Sequence, residues 1–277
     1  MELILGTAQL TRPYGLMADA TADDPERAFK LLKEAVELGI RTLDTAPVYG
    51  DAETCIGASV HAFGVHTKLH PEQDPEASLT ASLERLRRAR VDVLYLHDPE
   101  ALADPVAVAA AHLLVGDRVG SLGASVYTER ALKAAAEDDR IGVVQVPLNL
   151  LDRRIEDRLL EDVAASGTRV VARSVLLQGL LASPDSAKGR VVGLDAALSR
   201  VTAASAAVER DPVELAIGWV KARPGLDGMV LGAENAGQLR TLAAAFDAPA
   251  LEASELELLQ SLVGDEVLPV DPRGWTS

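Results

Sequence analysis

Three apolar runs, Ile40-Arg-Thr-Leu-Asp44, Val65-His-Thr-Lys68 and Val91-Asp-Val-Leu-Tyr-Leu-His97, each end in a charged or titratable residue. Each is short enough for a buried strand, and helical patterns separate them. Consecutive parallel strands would bring Asp44, Lys68 and His97 to one end of one sheet, with Tyr49 in the loop just after Asp44. In β/α barrels the carboxyl end of the strands is where catalytic groups gather. One polar strand end is unremarkable; three in succession with a loop tyrosine predict an active site.

The rhythm continues outward from this block. Strands are predicted at Glu2–Gly6, Arg41–Thr45, Val65–Leu69, Val91–His97, Val119–Ala124, Gly142–Val146, Arg169–Ala172 and Gly228–Leu231. Helical patterns fill most of the gaps. The first opens on Asp23, Asp24 and Pro25 and stops at Gly39, an acidic start with an early proline and a glycine end. A Gly- and Ser-bearing stretch, Gln178–Gly193, reads as a surface loop, and two helices and an irregular tail close the chain. Strands apolar on both faces with helical crossovers imply a parallel sheet. Eight units predict a (β/α)8 TIM barrel with additional C-terminal helices and a tail, one domain over 1–277. A doubly wound dinucleotide fold would want G-x-G-x-x-G after its first strand; Gly6-Thr-Ala-Gln9 stands there instead.

Composition narrows the partners. The net charge of −15 comes with no offsetting basic stretch, which argues against nucleic acid or an anionic membrane surface. Cys55 is the sole cysteine, so neither an intrachain disulfide nor a Cys-based zinc site is expected, and no metal site is assigned. No apolar stretch reaches the roughly 20 residues of a membrane span, and no leader is recognisable, so a cytoplasmic location is expected. Hydrophobic residues make up 48% but aromatics only 3%, so the core must be built mainly from Ala, Leu and Val.

The four residues form a coherent acid–base set. A phenol ordinarily titrates near 10, and an ammonium about 4 Å away favours the phenolate by roughly 4 kcal/mol at an effective dielectric near 20. Lys68 would thus prime Tyr49 as a general acid, and Asp44 would hold the ammonium and offset its buried charge. His97 would hydrogen-bond a substrate oxygen or help relay a proton. Such a set protonates an oxyanion forming on a carbonyl. The plainer alternative is a structural ion pair at the barrel mouth with a packed histidine.

At this point the sequence resembles the aldo-keto reductase superfamily. The resemblance rests on Gly39-Ile-Arg-Thr-Leu-Asp-Thr-Ala-Pro-Val-Tyr-Gly50 with Glu53 and Ile56-Gly57, on Thr67-Lys68, and on Val91–His97. It continues through Gly123-Ala-Ser125, Val144-Gln145-Val146 with Asn149, Ala172-Arg-Ser174 with Gly179-Leu-Leu181, and Leu231-Gly-Ala-Glu-Asn-Ala-Gly-Gln-Leu239.

The resemblance implies a (β/α)8 barrel, Asp44, Tyr49, Lys68 and His97 as a catalytic tetrad, and NADPH as cofactor, with NADH possible. Hydride from nicotinamide C4 would reduce an aldehyde or ketone while Tyr49 protonates its oxygen. Asp44, Ser125, Gln145 and Arg173 would lie around the nicotinamide, and Gly6, Thr7 and Ala8 near its ribose. Ser174, Leu176 and Gly179 would wrap the pyrophosphate. Gly232, Ala233, Asn235 and Gln238 would hold the adenosine end. Tyr14 and Trp275 join Tyr49 and His97 as substrate contacts. Where NADPH-preferring members often carry a basic residue, this chain has Glu234 or Gln238, with Arg240 nearby. The chain is short for the family, which implies trimmed mouth loops and an open cleft for polar carbonyl compounds such as sugars. Two other readings stay open: a redox-neutral lyase or epimerase on the same barrel, and a nucleotide-binding regulatory module with little turnover. Oligomeric state is not readable.

Overall fold

The computed structural model describes residues 1–18, 25–59, 62–97, 101–155, 157–263 and 266–275. The predicted opening of the first helix at Asp23 and Asp24 lies outside them. Eight strands run parallel and close in sequence order, β1 at Glu2–Gly6, β2 at Thr42–Asp44, β3 at Gly64–Lys68, β4 at Val91–Leu96, β5 at Val119–Ser125, β6 at Ile141–Pro147, β7 at Arg169–Arg173 and β8 at Gly228–Gly232. β8 pairs back onto β1, residue by residue from Glu2 with Gly228 to Gly6 with Gly232.

The helices are α1 (Pro25–Glu37), α2 (Ala52–Ala58), α3 (Pro75–Leu86), α4 (Pro105–His112), α5 (Glu129–Ala136), α6 (Asp157–Ala165), α7 (Pro184–Ala187), α8 (Asp195–Val208), α9 (Pro212–Lys221), α10 (Ala236–Asp247) and α11 (Ala253–Gln260). Several are set by local chemistry. Asp74-Pro75, Asp104-Pro105 and Asp211-Pro212 open α3, α4 and α9, the aspartate side chain accepting from one or two first-turn amides while proline takes a position that needs no N–H. In α1 the buried residues Ala28, Leu31, Leu32 and Ala35 recur at i, i+3, i+4 and i+7, so one stripe faces the sheet.

Two apolar cores result. The larger lies between sheet and helices. The smaller fills the barrel with Ile4, Val93, Tyr95, Val143 and Val171, against which Val230 packs. Because side chains alternate along a strand, residues two places beyond this inner layer also point inward, at the carboxyl rim. Asp44, Lys68, Ser125, Gln145 and Arg173 stand at or near those strand ends. The predicted surface loop Gln178–Gly193 contains α7 and follows a tight turn at Leu177–Gly179.

Candidate active site

Asp44 and Lys68 are buried at the ends of adjacent strands, and Lys68 Nζ donates to Asp44 Oδ1 at 2.6 Å and to the Thr45 carbonyl at 2.9 Å. The other Asp44 oxygen accepts from Gln145 Nε2 at 2.5 Å, so both oxygens are engaged. The ammonium also lies 5.1 Å from the Tyr49 ring centre and 5.9 Å from that of Tyr95, the buried residue of the inner layer. Burial alone would lower the Lys68 pKa, but Asp44 and then Tyr49 outweigh it, and the ammonium is held above its ordinary range. The lysine is therefore charged at neutral pH.

Three features hold this group in place. The Tyr49 loop is a turn closed by Tyr49 N–H on the Ala46 carbonyl, and Thr11 braces it by donating to the Tyr49 carbonyl and accepting from Asp51 N–H. Behind β3, Thr67 points out of the barrel and donates to buried Glu53 at 2.7 Å, and Arg85 donates to the second Glu53 oxygen at 2.8 Å. This anchors the residue next to Lys68 between α2 and α3. Half-buried His97 follows β4 and lines the same cavity as Asp44, Tyr49 and Lys68.

That cavity is about 630 Å³, within the range of small-molecule and cofactor sites. Around the tetrad it is lined by Gly6, Thr7, Ala8, Tyr14, Ser125, Gln145 and Arg173; it extends past Ser174, Leu176 and Gly179 to Gly232 and Gln238. Two of the residues assigned to the cofactor stand back from it. Ala233 is fully buried in the outer core, and Asn235 caps α10 by accepting from Gln238 N–H. Trp275 does not line the cavity either; its indole N–H turns back onto the Pro269 carbonyl of its own tail. His70, two residues past Lys68, accepts from Glu72 N–H on the neighbouring turn. His112, at the end of α4, is half-buried.

The walls have an unusual backbone. Ser174, Leu177 and Gln178 adopt left-handed φ of 57°, 47° and 54°, followed by Gly179 at 90°. The other described non-glycine residues at positive φ, Arg87 and Glu209, are helix C-caps. Such conformations cost on the order of 1–3 kcal/mol each and gather where a ligand must be gripped. Buried Asn149 helps impose them, donating to the Ser174 carbonyl at 3.1 Å while its own oxygen accepts from Leu151 and Asp152 N–H. Gly6 and Gly232, at the tops of β1 and β8, also line the cavity, and each is crowded from one side: a Cβ on Gly232 would lie 2.4 Å from the Gln9 amide, and one on Gly6 2.9 Å from Val230.

At the rim, Arg173 donates to Ser125 Oγ, Ser174 Oγ and the Val126 carbonyl, each at 3.3 Å, and its guanidinium lies 4.1 Å from the Tyr127 ring centre. Arg273 from the tail approaches the same ring at 3.6 Å. Tyr127 also lines the cavity. The sequence reading missed it, since nothing in Ser125-Val-Tyr127 signals an aromatic clamped by two cations. Tyr14, 45% exposed, has its phenol raised by partial burial and by neighbouring Tyr49, placing it at the tetrad.

A closed eight-stranded barrel with a buried lysine–carboxylate pair against a tyrosine at its carboxyl rim defines a class of β/α-barrel enzyme. The chain belongs to the aldo/keto reductase family, whose sequence profile matches residues 2–263. It is 27% identical to the uncharacterized oxidoreductase YqkF of Bacillus subtilis, over 93% of this chain and 94% of that protein. It is 29% identical to a D-threo-aldose 1-dehydrogenase of a Pseudomonas species, over 62% of this chain and 65% of that one. Among solved structures, the holo form of aldo-keto reductase AKR11C1 from Bacillus halodurans superposes with a TM-score of 0.78 at 22% identity, covering 97% of this chain and 94% of the other. That likeness concerns the fold. Family membership makes the chain an oxidoreductase of a kind that binds nicotinamide cofactors and acts on small carbonyl compounds. Among the described residues, no helix is long and apolar enough to cross a membrane, and no group of three or more His, Cys, Asp or Glu is arranged to hold a metal ion.

Proposed function

We propose that this protein reduces an aldehyde or ketone, or oxidises the corresponding alcohol, with a nicotinamide dinucleotide bound across the barrel mouth. The observation that carries this is the Lys68 ammonium set between Asp44 at 2.6 Å and the Tyr49 ring at 5.1 Å, in a cavity that His97 shares. The cofactor assignment is supported by one cavity that runs from the tetrad past the left-handed Ser174–Gly179 turn to Gly232 and Gln238. When bound, the dinucleotide supplies or accepts the hydride.

The chain's own residues handle the proton. Tyr49 donates it to the carbonyl oxygen as negative charge develops there. Lys68, cationic and fixed by Asp44, stabilises the phenolate left behind. Half-buried His97 orients the carbonyl oxygen from the neighbouring strand end. Ser125 and Gln145 face the nicotinamide carboxamide. In the structure Ser125 accepts from Arg173 and Gln145 donates to Asp44, so each keeps hydrogen-bonding capacity for a ligand. Arg173 offers a flat guanidinium face. Tyr14 and Tyr127 form the substrate side, a polar aromatic wall suited to hydroxyl-bearing carbonyl compounds such as sugars. The setting is the cytoplasm, in keeping with a chain holding a single cysteine.

The test is Tyr49→Phe. Removing a general acid costs about 10²–10⁴ in rate, so turnover on a carbonyl panel should fall by that factor while nucleotide affinity stays within about twofold. Full activity in this variant would sink the assignment. Stoichiometric consumption of reduced nucleotide separates a reductase from a redox-neutral lyase or a non-catalytic binder.

A further inference from the structure

The cavity has two electrostatically different ends. Among the described residues, two cationic side chains, Lys68 and Arg173, line it, and both belong to the tetrad end. Past the Ser174–Gly179 turn the wall is made by β8 and the start of α10, through Gly232, Glu234, Gln238, Thr241 and Leu242. Those side chains offer a carboxylate, an amide and a hydroxyl, with no cation. Arg240, the one basic residue on α10, turns away from the cavity and pairs with Glu34 of α1 at 2.7 Å. Arg27 of α1 does not line the cavity and donates to the Gln9 carbonyl.

The backbone donors at this end are also engaged. A helix start ordinarily greets phosphate with unsatisfied N–H groups. Here Glu234 N–H donates to Gln238 Oε1 at 2.8 Å, and Gln238 N–H to Asn235 Oδ1 at 2.9 Å. Side-chain acceptors thus already occupy two of the amides that an extra phosphate would use.

We infer that the site takes the dinucleotide without a 2′-phosphate, NADH in preference to NADPH, and that Glu234 sets this preference. The inference rests on the reading above, which puts the nicotinamide at Tyr49 and so the adenosine at the β8–α10 end. A ribose 2′-hydroxyl can donate to the Glu234 carboxylate. A phosphate monoester carries a charge of about −1.5 to −2, meets that carboxylate as a like charge, and meets no Lys or Arg among the described residues that line this end. The chain's overall charge of −15 opposes it further.

The experiment is calorimetric titration of the full chain with NADH and with NADPH, without substrate, at low and at about 0.5 M salt. NADH should bind at least tenfold tighter at low salt, and the gap should narrow at high salt, where the Debye length is only a few ångströms. Glu234→Lys should move the ratio toward NADPH by tenfold or more, and Glu234→Gln should move it part of the way. Equal or tighter binding of NADPH to the natural chain would overturn the inference while leaving the reductase reading in place. So would ratios unmoved in both variants. Binding of neither nucleotide would remove that reading, and this inference with it.

Discussion

Replacing Asp44 by Asn should destabilise the protein in a pH-dependent way, and the slope can be worked out. At 2.6 Å and an effective dielectric near 20, the Asp44–Lys68 attraction is about 6 kcal/mol. A lysine of ordinary pKa near 10.4 gives up its proton at pH 7 for about 5 kcal/mol. Without its counter-charge, buried Lys68 therefore loses its proton on folding, and the variant should be about 3–5 kcal/mol less stable at neutral pH, the usual cost of breaking a buried pair. In the natural protein the folded-state pKa of Lys68 is raised, so its contribution is fully present below the unfolded value and fades only as pH rises through the folded one. Between pH 7 and 9 that contribution is flat. In Asp44→Asn the unfolded chain binds one more proton than the folded one, so variant stability rises by about 1.4 kcal/mol per pH unit. Urea unfolding of both proteins at pH 7, 8 and 9 should show the gap closing at that slope. Asp44→Asn combined with Lys68→Met should recover much of the loss, the non-additivity expected of contacting groups. A gap that stays constant with pH would refute the claim that Lys68 is a buried cation dependent on Asp44.

Two further outcomes follow from the same coordinates. Gly57→Ala would place a Cβ 2.1 Å from the Arg85 carbonyl oxygen and 2.7 Å from the Leu86 carbonyl carbon, both backbone atoms, so α2 and α3 must separate. A loss of about 3 kcal/mol is expected, or roughly 6–12 °C in Tm at about 2–4 °C per kcal/mol, and an unshifted melting curve would show that the two helices do not approach this closely. Arg273, then Arg154, hold the Asp271 carboxyl well below its ordinary range; this stabilisation is present above the unfolded value near 4 and is lost as pH falls toward the folded one. Asp271→Asn should release Arg273 from the Tyr127 ring and speed amide exchange across residues 266–275 at neutral pH, and unchanged exchange there would count against Asp271 holding the tail in place.

Much of the barrel was legible because strands covered on both faces leave little choice of residue. Glu2–Gly6 coincides with its predicted bounds. Other ends moved by a residue or two, as at Arg41–Thr45, where the sheet pairs only Thr42–Asp44. The turn at Leu177–Gly179 and the four-residue α7 left no periodic trace, being shorter than a helix needs to show one. Left-handed Ser174, Leu177 and Gln178 gave no signal either, since that backbone is ordinarily announced by glycine or asparagine. Here Asn149, from the preceding crossover, helps set it across the fold.

The division between what could and could not be read follows from how each part is held. A cation buried at a strand end must have a counter-charge on the next strand, so Asp44 and Lys68 are constrained as residue types and announce themselves in order. The far end of the cavity is lined by Gly232, Glu234, Gln238, Thr241 and Leu242, residue types that no strand order demands. Arg240 shows the consequence. By sequence it stands where it could meet a phosphate; in the fold it meets Glu34 on α1 instead, a pairing no local pattern encodes. The acid–base pair is thus written along the chain, whereas the partner of Arg240 is set only by how α1 packs against α10.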